Sequence, residues 1–457
     1  MLASNKLPGI WKKNNGLENK NQDCILFFAY ICSMTEEFLH YIWQYRLYKP
    51  DLFLTSGEQV EVLHPGIHNS DSGPDFFNAK IRIGETIWAG NIEIHIQSSD
   101  WNRHKHQQDL SYDNVILHVV WHHDTEVQRK DGSSIPTLEL DGLYNENSWK
   151  NYLHFMASQQ WVPCETMIHN VDAFTLNLWF DRILIERLER KALQVEHILY
   201  MTNNDWAQTF YLQLARNMGF KLNNQAFELL AQSLPFQFLA KHANDIFQIE
   251  AMVFGQAGLL QNTFIDDYPS KLKKEYEFLK TKFSLTPIDA HLWRFMRLHP
   301  GNFPTLRLAQ FAAIIHHSAA IISELFNSDD VNTYRKLFSA QASEYWDTHY
   351  VFDKASSPKK KTLGTVSADL LIINLVAPII LAYGRRKSDN KVTERPIDIL
   401  MQLKGEDNSI IRKWGNLGLD ISTAANTQAL LELKSNYCDN KKCLDCRIGN
   451  ELLKYHD

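Results

Sequence analysis

Asp75 and Glu93 are the residues whose types and spacing first suggest chemistry. Asp75 follows Gly-Pro in NSDSGPDFFNAKIRI, and Glu93 comes about a hairpin's length later in GNIEIHIQSSDW. In NIEIHIQ the isoleucines alternate with polar residues, so a strand there presents Glu93, His95 and Gln97 on one face. Two carboxylates at neighbouring strand ends supply the hard oxygen ligands that hold Mg²⁺ or Mn²⁺. The pattern predicts a metal site at Asp75 and Glu93, with His95 acting on water and Gln97 near the substrate.

The secondary-structure elements that must position these residues are predicted to be a helix, three strands, a helix and a strand, in that order. Apolar residues recur at helical spacing from Glu36 to Tyr48. Strands are predicted in EQVEVLH, DFFNAKIRI and TIWAGNIEIHIQ, then a helix in SSDWNRHKHQQDLSYDN and a buried strand in VILHVVWHH, with IPTLEL as an edge strand. Because VILHVVWHH is apolar on both faces, the sheet is expected to be internal. Its polar face then lines a cleft rather than forming a solvated charged surface.

This order of elements resembles the core of the PD-(D/E)xK nucleases, with Gly-Pro-Asp on the second strand and Glu-x-basic on the third. The resemblance implies an α+β fold, in which an N-terminal αβββαβ restriction-endonuclease-like core precedes a large all-α region. It also implies that Asp75 and Glu93 bind metal and that His95 occupies the lysine position. A neutral imidazole binds transition metals but carries no fixed charge at pH 7. The histidine in place of lysine therefore affects which of Mg²⁺, Mn²⁺ and Zn²⁺ the site would prefer.

Further candidates come from the same resemblance. Glu36 or Glu37 on the first helix corresponds to an additional helix glutamate of the family. Asp109 and Tyr112 fall where some members carry a glutamine–tyrosine pair that contacts DNA. The resemblance therefore implies substrate contacts at Asp109 and Tyr112.

The chain from Met34 onward also resembles an uncharacterised bacterial family of unknown function. The resemblance lies in HPGIHNSDSGPDF, GNIEIHIQSSDW, FGQAG, NFPTLRLAQ and NYCDNKKCLDCRIG. It implies no activity.

Histidines follow the third strand at His104, His106, His118, His122 and His123. Residues two apart point to different sides of a helix. Because His104 and His106 fall in the predicted helix, we expect solvated side chains rather than a joint metal site. His104 is the one expected to reach the cleft and contact a phosphate.

The tail segment CDNKKCLDC holds Cys438, Cys443 and Cys446. Thiolates are soft ligands for Zn²⁺ or an iron–sulfur cluster, and Cys164 or His456 is the candidate fourth ligand. The arrangement resembles the cluster of one distant and three C-terminal cysteines in some PD-(D/E)xK nucleases. Buried, redox-inert cysteines are the alternative.

Three arginines, Arg294, Arg297 and Arg307, lie near aromatic residues in WRFMRLHPGNFPTLR. Such arginines suit phosphate contacts, but ion pairs at the surface or core edge are the more common role. We therefore expect ion pairs here.

The composition is that of an ordinary globular protein, with a net charge of −6 that gives no global attraction to nucleic acid. We expect a leader over 1–33, disordered or an over-extended start, a core over 34–150, a connector over 151–172, a helical region over 173–437 and a cysteine-containing tail over 438–457. No membrane-spanning helix is expected, because the longest apolar run, LLIINLVAPIILAY, is short and contains Asn and Pro. The absence of an export signal predicts a cytoplasmic protein.

The sequence thus favours a metal-dependent nuclease that hydrolyses phosphodiester bonds with Mg²⁺ or Mn²⁺. A catalytically inactive nucleic-acid-binding or assembly protein on the same scaffold is one alternative. A metal-dependent hydrolase of a small substrate, using the histidines, is the other.

Overall fold

A computed structural model describes residues 34–454, except for the side chains of 318–320. The predicted leader over 1–33 and the candidate ligand His456 lie outside the described residues. The chain divides into two compact units, the first made of Met1–Leu176 with Ser435–Asp457 and the second of Asn177–Lys434. The fold is mixed, with an N-terminal sheet in the first unit and a large helical region in the second.

A seven-stranded mixed sheet organises the first unit. Its strands are β1 (Leu52–Phe53), β2 (Gln59–His64), β3 (Ile67–His68), β4 (Phe76–Ile83), β5 (Thr86–Gln97), β6 (Val115–His122) and β7 (Thr137–Glu139). The order is β1-β2-β4-β5-β6-β7, and β3 pairs with β4. Pairing is antiparallel from β1 to β5 and parallel from β5 to β7. All five predicted strands are present.

The hairpin β4–β5 sets the register of the two carboxylates. Phe76 pairs with Ile92, so Asp75, one residue before β4, lies beside Glu93. On the other side β5 pairs with β6, which is buried over most of its length, as its apolar sequence predicts. Strand β5 is therefore internal, and both Glu93 and His95 are buried.

The helices of the first unit are few and mostly short. They are α1 (Glu36–Gln44), α2 (Asp100–Arg103), α3 (Glu146–Ala157) and the tail helix α18 (Arg447–Leu453), and α4 (Ala173–Met201) begins in this unit. Helix α1 is capped by the Thr35 hydroxyl, which accepts a hydrogen bond from the N–H of Phe38 at 3.3 Å.

The prediction of one continuous helix between β5 and β6 is wrong. Only α2 is α-helical there, followed by two 3₁₀ turns, His106–Gln108 and Leu110–Tyr112. Lys105 adopts a left-handed conformation with φ of 64°, which stops α2. The Asp109 carboxylate then accepts the N–H of Ser111 at 2.9 Å, which starts a new turn instead of prolonging a helix.

The second unit is built from packed helices. They are α5 (Trp206–Met218), α6 (Phe220–Ser233), α7 (Phe236–Ala240), α8 (Ile246–Gln256), α9 (Asp267–Phe283), α10 (Pro304–His316), α11 (Ser318–Asn327), α12 (Val331–Phe338), α13 (Thr365–Leu371), α14 (Ala377–Lys387), α15 (Asn390–Gln402), α16 (Ser409–Asn416) and α17 (Ala424–Glu432). A two-stranded ribbon, β8 (His349–Val351) with β9 (Lys354–Ala355), interrupts them, so this region is not purely helical as predicted.

One apolar helical stretch runs from Thr365 to Lys387. It is long and apolar enough to cross a membrane, but 67% of its most apolar window is buried within the protein. The bent pair Pro304–His316 and Ile321–Asn327 passes the same test of length and composition. Core helices of soluble proteins share these properties, so the observation is weak evidence for membrane insertion.

Candidate metal centre

Asp75 and Glu93 are linked directly through the backbone of the β4–β5 hairpin. The N–H of Asp75 donates to Oε2 of Glu93 at 3.3 Å, and the N–H of Ile94 donates to Oδ2 of Asp75 at 2.8 Å. Each carboxylate is therefore held by a main-chain N–H of the other strand. The structure brings the two predicted metal ligands together.

The second carboxylate oxygen of Glu93 faces a group of histidines. Oε1 of Glu93 lies 3.2 Å from Nε2 of His106 and 3.5 Å from Nε2 of His95. His95 Nε2 in turn lies 3.1 Å from Nδ1 of His104. The ligand atoms of His95, His104 and His106 all lie within 4.8 Å of one another. Three histidines thus present their ligand atoms to a common point, and Glu93 lies beside two of them, His95 and His106.

The expectation that His104 and His106 do not share a metal site loses its geometric basis, although His104 is exposed as expected. It assumed a helix, in which residues two apart diverge. Because the segment breaks at Lys105, both rings turn toward His95, and their centroids lie 5.0 and 5.2 Å from that of His95.

His118 on β6 contacts the ring nitrogen of His95 that does not face His104. Its Nε2 lies 2.9 Å from Nδ1 of His95, and both rings are buried. Burial, followed by the neighbouring histidines, lowers the pKa of His95 to about 2, and burial lowers the pKa of His118 to about 3. Both rings are therefore neutral at pH 7, the form in which imidazole binds metal.

Burial also acts on the acidic residues of the site. The pKa of Glu93 is raised, first by burial and then by repulsion from Asp75. Glu36 on α1 lies within electrostatic range of Asp75 and His104, and burial raises its pKa too. Glu36 rather than the exposed Glu37 is the helix glutamate that the fold brings to the site. A bound cation would offset this crowding of carboxylates.

Two buried ring nitrogens provide a test of whether the residues fit a metal. His40 Nε2 faces Oδ2 of Asp75 at 3.3 Å, and His106 Nε2 faces Glu93. Neither nitrogen makes a hydrogen bond of full geometry with any residue that the structure describes. At His40, however, burial lowers the pKa of the ring, but the Asp75 carboxylate outweighs burial and raises that pKa. Donor atoms around one divalent ion at about 2.1 Å lie about 3 Å apart in octahedral geometry, close to these separations. The group His95, His104 and His106 therefore fits a metal ion, and its imidazoles favour a transition metal.

A cavity of about 460 Å³ opens beside His40. His68, Lys441 and Lys442 are among the residues that line it, and the two lysines come from the tail. Lys441 donates to the backbone carbonyl of Met156, which anchors the tail at this wall. Two acidic residues, Glu37 and Asp445, also line the cavity, so it places both cations and carboxylates beside His40.

The remaining predicted substrate contacts differ in position. Tyr112 is buried and stacks on His106, with ring centroids 3.9 Å apart. Gln97 is exposed at the end of β5, and Asp109 is exposed and engaged in capping the turn at Ser111. Asp109 and His104 both line a shallow open concavity.

Two of the tail cysteines, Cys443 and Cys446, lie near Cys164. Helix α18, which begins after Cys446, packs against the 3₁₀ turn Ile168–Asn170 that follows Cys164. The pKa of Cys164 is raised by burial and by the nearby thiols of Cys446 and Cys443. Burial, then Cys446, raises the pKa of Cys443 to about 12. Cys438 ends the π-helical segment Leu433–Cys438.

Sequence reasoning missed His40 and His68 and misjudged His106. His40 lies one helical turn after Glu36, a spacing that places both on one face of α1. That signal was available in the sequence. His68 lies in a strand of two residues, too short to recognise by periodicity.

The sheet, the carboxylate pair and the histidine group together define an α/β protein with a candidate transition-metal centre. The model of a family of proteins of unknown function, DUF2851, matches residues 36–409, and the chain belongs to this family. No curated protein and no solved structure matches the chain.

Proposed function

We propose that this protein is a metal-dependent hydrolase of phosphodiester bonds and that its substrate is a nucleic acid. One observation carries the proposal: Asp75 and Glu93 lie side by side across the β4–β5 hairpin, and Glu93 also faces His95 and His106, whose ligand atoms group with that of His104. Carboxylates grouped with histidines are donors that metal-dependent hydrolases use.

The arrangement of the sheet supports the resemblance to a restriction-endonuclease-like core. The antiparallel strands β2, β4 and β5 are followed by the parallel strand β6, and α1 precedes them. Asp75 stands at the start of the second of these strands and Glu93 within the third. The short α2 with its two 3₁₀ turns takes the place of the second core helix.

Glu93, His95, His104 and His106 would hold the ion, with Asp75 and His40 completing the site. A divalent transition metal such as Mn²⁺ would polarise a phosphoryl oxygen and lower the pKa of water. His95 is better suited to holding metal than to acting on water, because both its nitrogens face other histidines and its side chain is 2% exposed. His118 orients His95 from the opposite ring nitrogen.

The protein's other groups would bind and orient the phosphodiester. Lys441 and Lys442, in the cavity that His40 also lines, supply positive charge for a non-bridging phosphate oxygen. In the reaction, the oxygen of water forms a bond to phosphorus and gives up a proton to solvent, the ester P–O bond breaks, and the leaving oxygen takes a proton from solvent. The N–H of Ile94 keeps Asp75 aligned throughout, because its hydrogen bond does not depend on substrate.

The cysteines support a second, structural metal site. Cys164, Cys438, Cys443 and Cys446 would hold Zn²⁺ or an iron–sulfur cluster, and so fix the tail that carries Lys441 and Lys442. We place the protein in the cytoplasm, where thiols stay reduced, and we propose no membrane partner.

The two alternatives make different predictions for activity. An inactive binding protein on this scaffold would bind nucleic acid without cleaving it. A hydrolase of small phosphate esters would be favoured by the histidine-rich donor set, since such sites also occur in enzymes that act on small substrates. It would turn over bis(p-nitrophenyl) phosphate and ignore nucleic acid.

The test compares wild type, Asp75→Asn and the exposed control Asp113→Asn. Each is incubated with labelled single-stranded, duplex and branched DNA and RNA, and with bis(p-nitrophenyl) phosphate, in Mg²⁺, Mn²⁺ or Zn²⁺. The proposal expects nucleic-acid cleavage by wild type and by Asp113→Asn and none by Asp75→Asn. Binding without cleavage, or turnover of the small ester alone, would replace the proposal with the corresponding alternative.

A further inference from the structure

A second cavity lies within the helical unit. Its volume is about 540 Å³, within the range of small-molecule sites. Most of its lining is apolar and includes Phe220, Leu298, Pro304 and Leu370. Arg307, on the first turns of α10, also lines it.

Arg307 is a buried cation without an acidic partner among the described residues. It is 7% exposed, and its guanidinium donates to Oδ1 of Asn302 at 2.6 Å, Oγ of Ser367 at 3.1 Å and Oε1 of Gln310 at 3.1 Å. These acceptors are neutral, and the buried Nε has no partner in the described structure. The expectation of an ion pair at Arg307 is therefore wrong. Burying a guanidinium that has only neutral partners costs free energy of folding unless a negative charge compensates it.

No residue that the structure describes in the cavity lining carries a negative charge that could offset Arg307. None of the described lining residues is acidic, and the other charged one, Lys221, is itself a cation. Helix α10 adds to the positive potential, because it begins at Pro304 after Phe303, whose side chain accepts no capping hydrogen bond. The walls therefore combine one buried positive charge with apolar surface.

Phe220 is held in a strained conformation at the same place. Its φ is 46°, in the left-handed region that a bulky side chain rarely adopts, and its ring lies 4.6 Å from the Arg307 guanidinium carbon. This backbone conformation places an aromatic face against the cation. Such strain is typical of positions that shape a site.

We propose that this cavity binds a small carboxylate that carries an apolar chain or ring. The single buried guanidinium supplies one positive charge, which a monoanionic carboxylate matches, whereas Lys221 is an exposed cation of the lining. The guanidinium that lines the cavity has five N–H donors and gives three hydrogen bonds to neutral side chains, so its charge and remaining terminal N–H groups can serve a carboxylate, while the apolar walls take the hydrocarbon part. The site lies within the second unit and does not depend on the phosphodiester hydrolase proposal.

Isothermal titration of the full chain tests this proposal with octanoate and 3-phenylpropionate, each paired with its neutral amide, and with octyl phosphate. At least one carboxylate is expected to bind at least about tenfold more tightly than its amide, as the loss of a charged hydrogen bond implies. Arg307→Met should remove this preference, and the exposed Arg294→Met should keep it. Leu222→Trp, which fills the lining without altering Arg307, should weaken carboxylate binding by a similar factor.

Several results would overturn the proposal. They are equal affinity for carboxylates and amides, no binding of either carboxylate, tighter binding of octyl phosphate than of octanoate, or wild-type affinity in Arg307→Met. If Arg307→Met does not fold, two measurements still test the proposal. They are the affinity of wild type for each carboxylate against its amide, and carboxylate binding by Leu222→Trp. Circular dichroism establishes that each variant is folded.

Discussion

The N–H of Asp75 donates to the Glu93 carboxylate at 3.3 Å, and the Asp75 carboxylate accepts the N–H of Ile94 at 2.8 Å. These two hydrogen bonds fix the Asp75 and Glu93 side chains in positions set by the strand pairing of the β4–β5 hairpin. It leaves Oε1 of Glu93 directed at His95 and His106. The site is thus organised by the main chain of rigid strands, and we expect it to be formed before any ligand binds.

Removal of a histidine ligand should weaken metal binding. His106→Ala takes away a nitrogen that faces Glu93 at 3.2 Å, so we expect the Mn²⁺ affinity to fall by at least about tenfold. His122→Ala is the matched control, because His122 is exposed and pairs with Glu139 at 3.0 Å. Titration of Mn²⁺ followed by electron paramagnetic resonance measures both. Equal affinities in the two variants would exclude His106 as a ligand.

The tail should lose its bound metal when one cysteine is replaced. Cys443→Ser removes a buried thiol near Cys446 and Cys164. We expect lower zinc or iron content in the purified protein and a lower melting temperature, because structural metal binding contributes folding free energy. Cys32→Ser, outside the described residues, is the control. Wild-type protein without bound zinc or iron would contradict the site.

Lys442 should contribute to substrate affinity rather than to turnover. Lys442→Ala removes an exposed cation from the cavity that His40 also lines. We expect weaker nucleic-acid binding, with the slope of log affinity against log salt reduced by about one, and an unchanged single-turnover rate at saturation. Lys150→Ala, an exposed lysine on α3 that pairs with Glu146, is the control. A salt slope that matches wild type would place Lys442 outside the interface.

Glu250 in the second unit should make stability depend on pH. It is fully buried and accepts hydrogen bonds from Tyr268 and Ser343, yet burial raises its pKa to about 7. Between pH 4.5, its ordinary pKa, and pH 7 the folded state holds a proton that the unfolded state releases. The contribution of Glu250 to the free energy of unfolding is therefore at its full value below pH 4.5 and is lost as the pH rises to about 7.

Denaturant unfolding from pH 5 to pH 8 measures this effect. Wild type should lose a few kcal/mol relative to Glu250→Gln over that range, because glutamine does not titrate. Glu344→Gln, an exposed neighbour of Ser343, should follow the wild-type profile. Parallel profiles for wild type and Glu250→Gln would contradict the raised pKa.

The sheet could be predicted from the sequence because its signals are local. Alternation in NIEIHIQ and the apolar run VILHVVWHH identify β5 and β6, and turn residues separate the strands. Asp75 and Glu93 were recognised because a hairpin fixes which residues lie side by side. Local periodicity and register thus account for the part of the site carried by β4 and β5.

The histidine group could not be predicted in the same way. Whether His104 and His106 converge depends on Lys105 adopting a left-handed conformation, which no propensity of lysine indicates. The contacts of His40 and His118 depend on how α1 and β6 pack on β5, which is tertiary information. Arg307 was misjudged for a related reason, since the neutrality of its partners is visible only in the fold.

The most direct test of the central claim is a single-turnover cleavage assay with Glu93→Gln. Labelled nucleic acid is incubated in Mn²⁺ with wild type, with Glu93→Gln and with the exposed control Asp113→Asn, and the ends of the products are identified. We predict Mn²⁺-dependent phosphodiester cleavage by wild type and by Asp113→Asn, and loss of cleavage by Glu93→Gln, which retains the size of the side chain without its charge. Equal cleavage by wild type and Glu93→Gln, or no cleavage by any of the three, would contradict the claim.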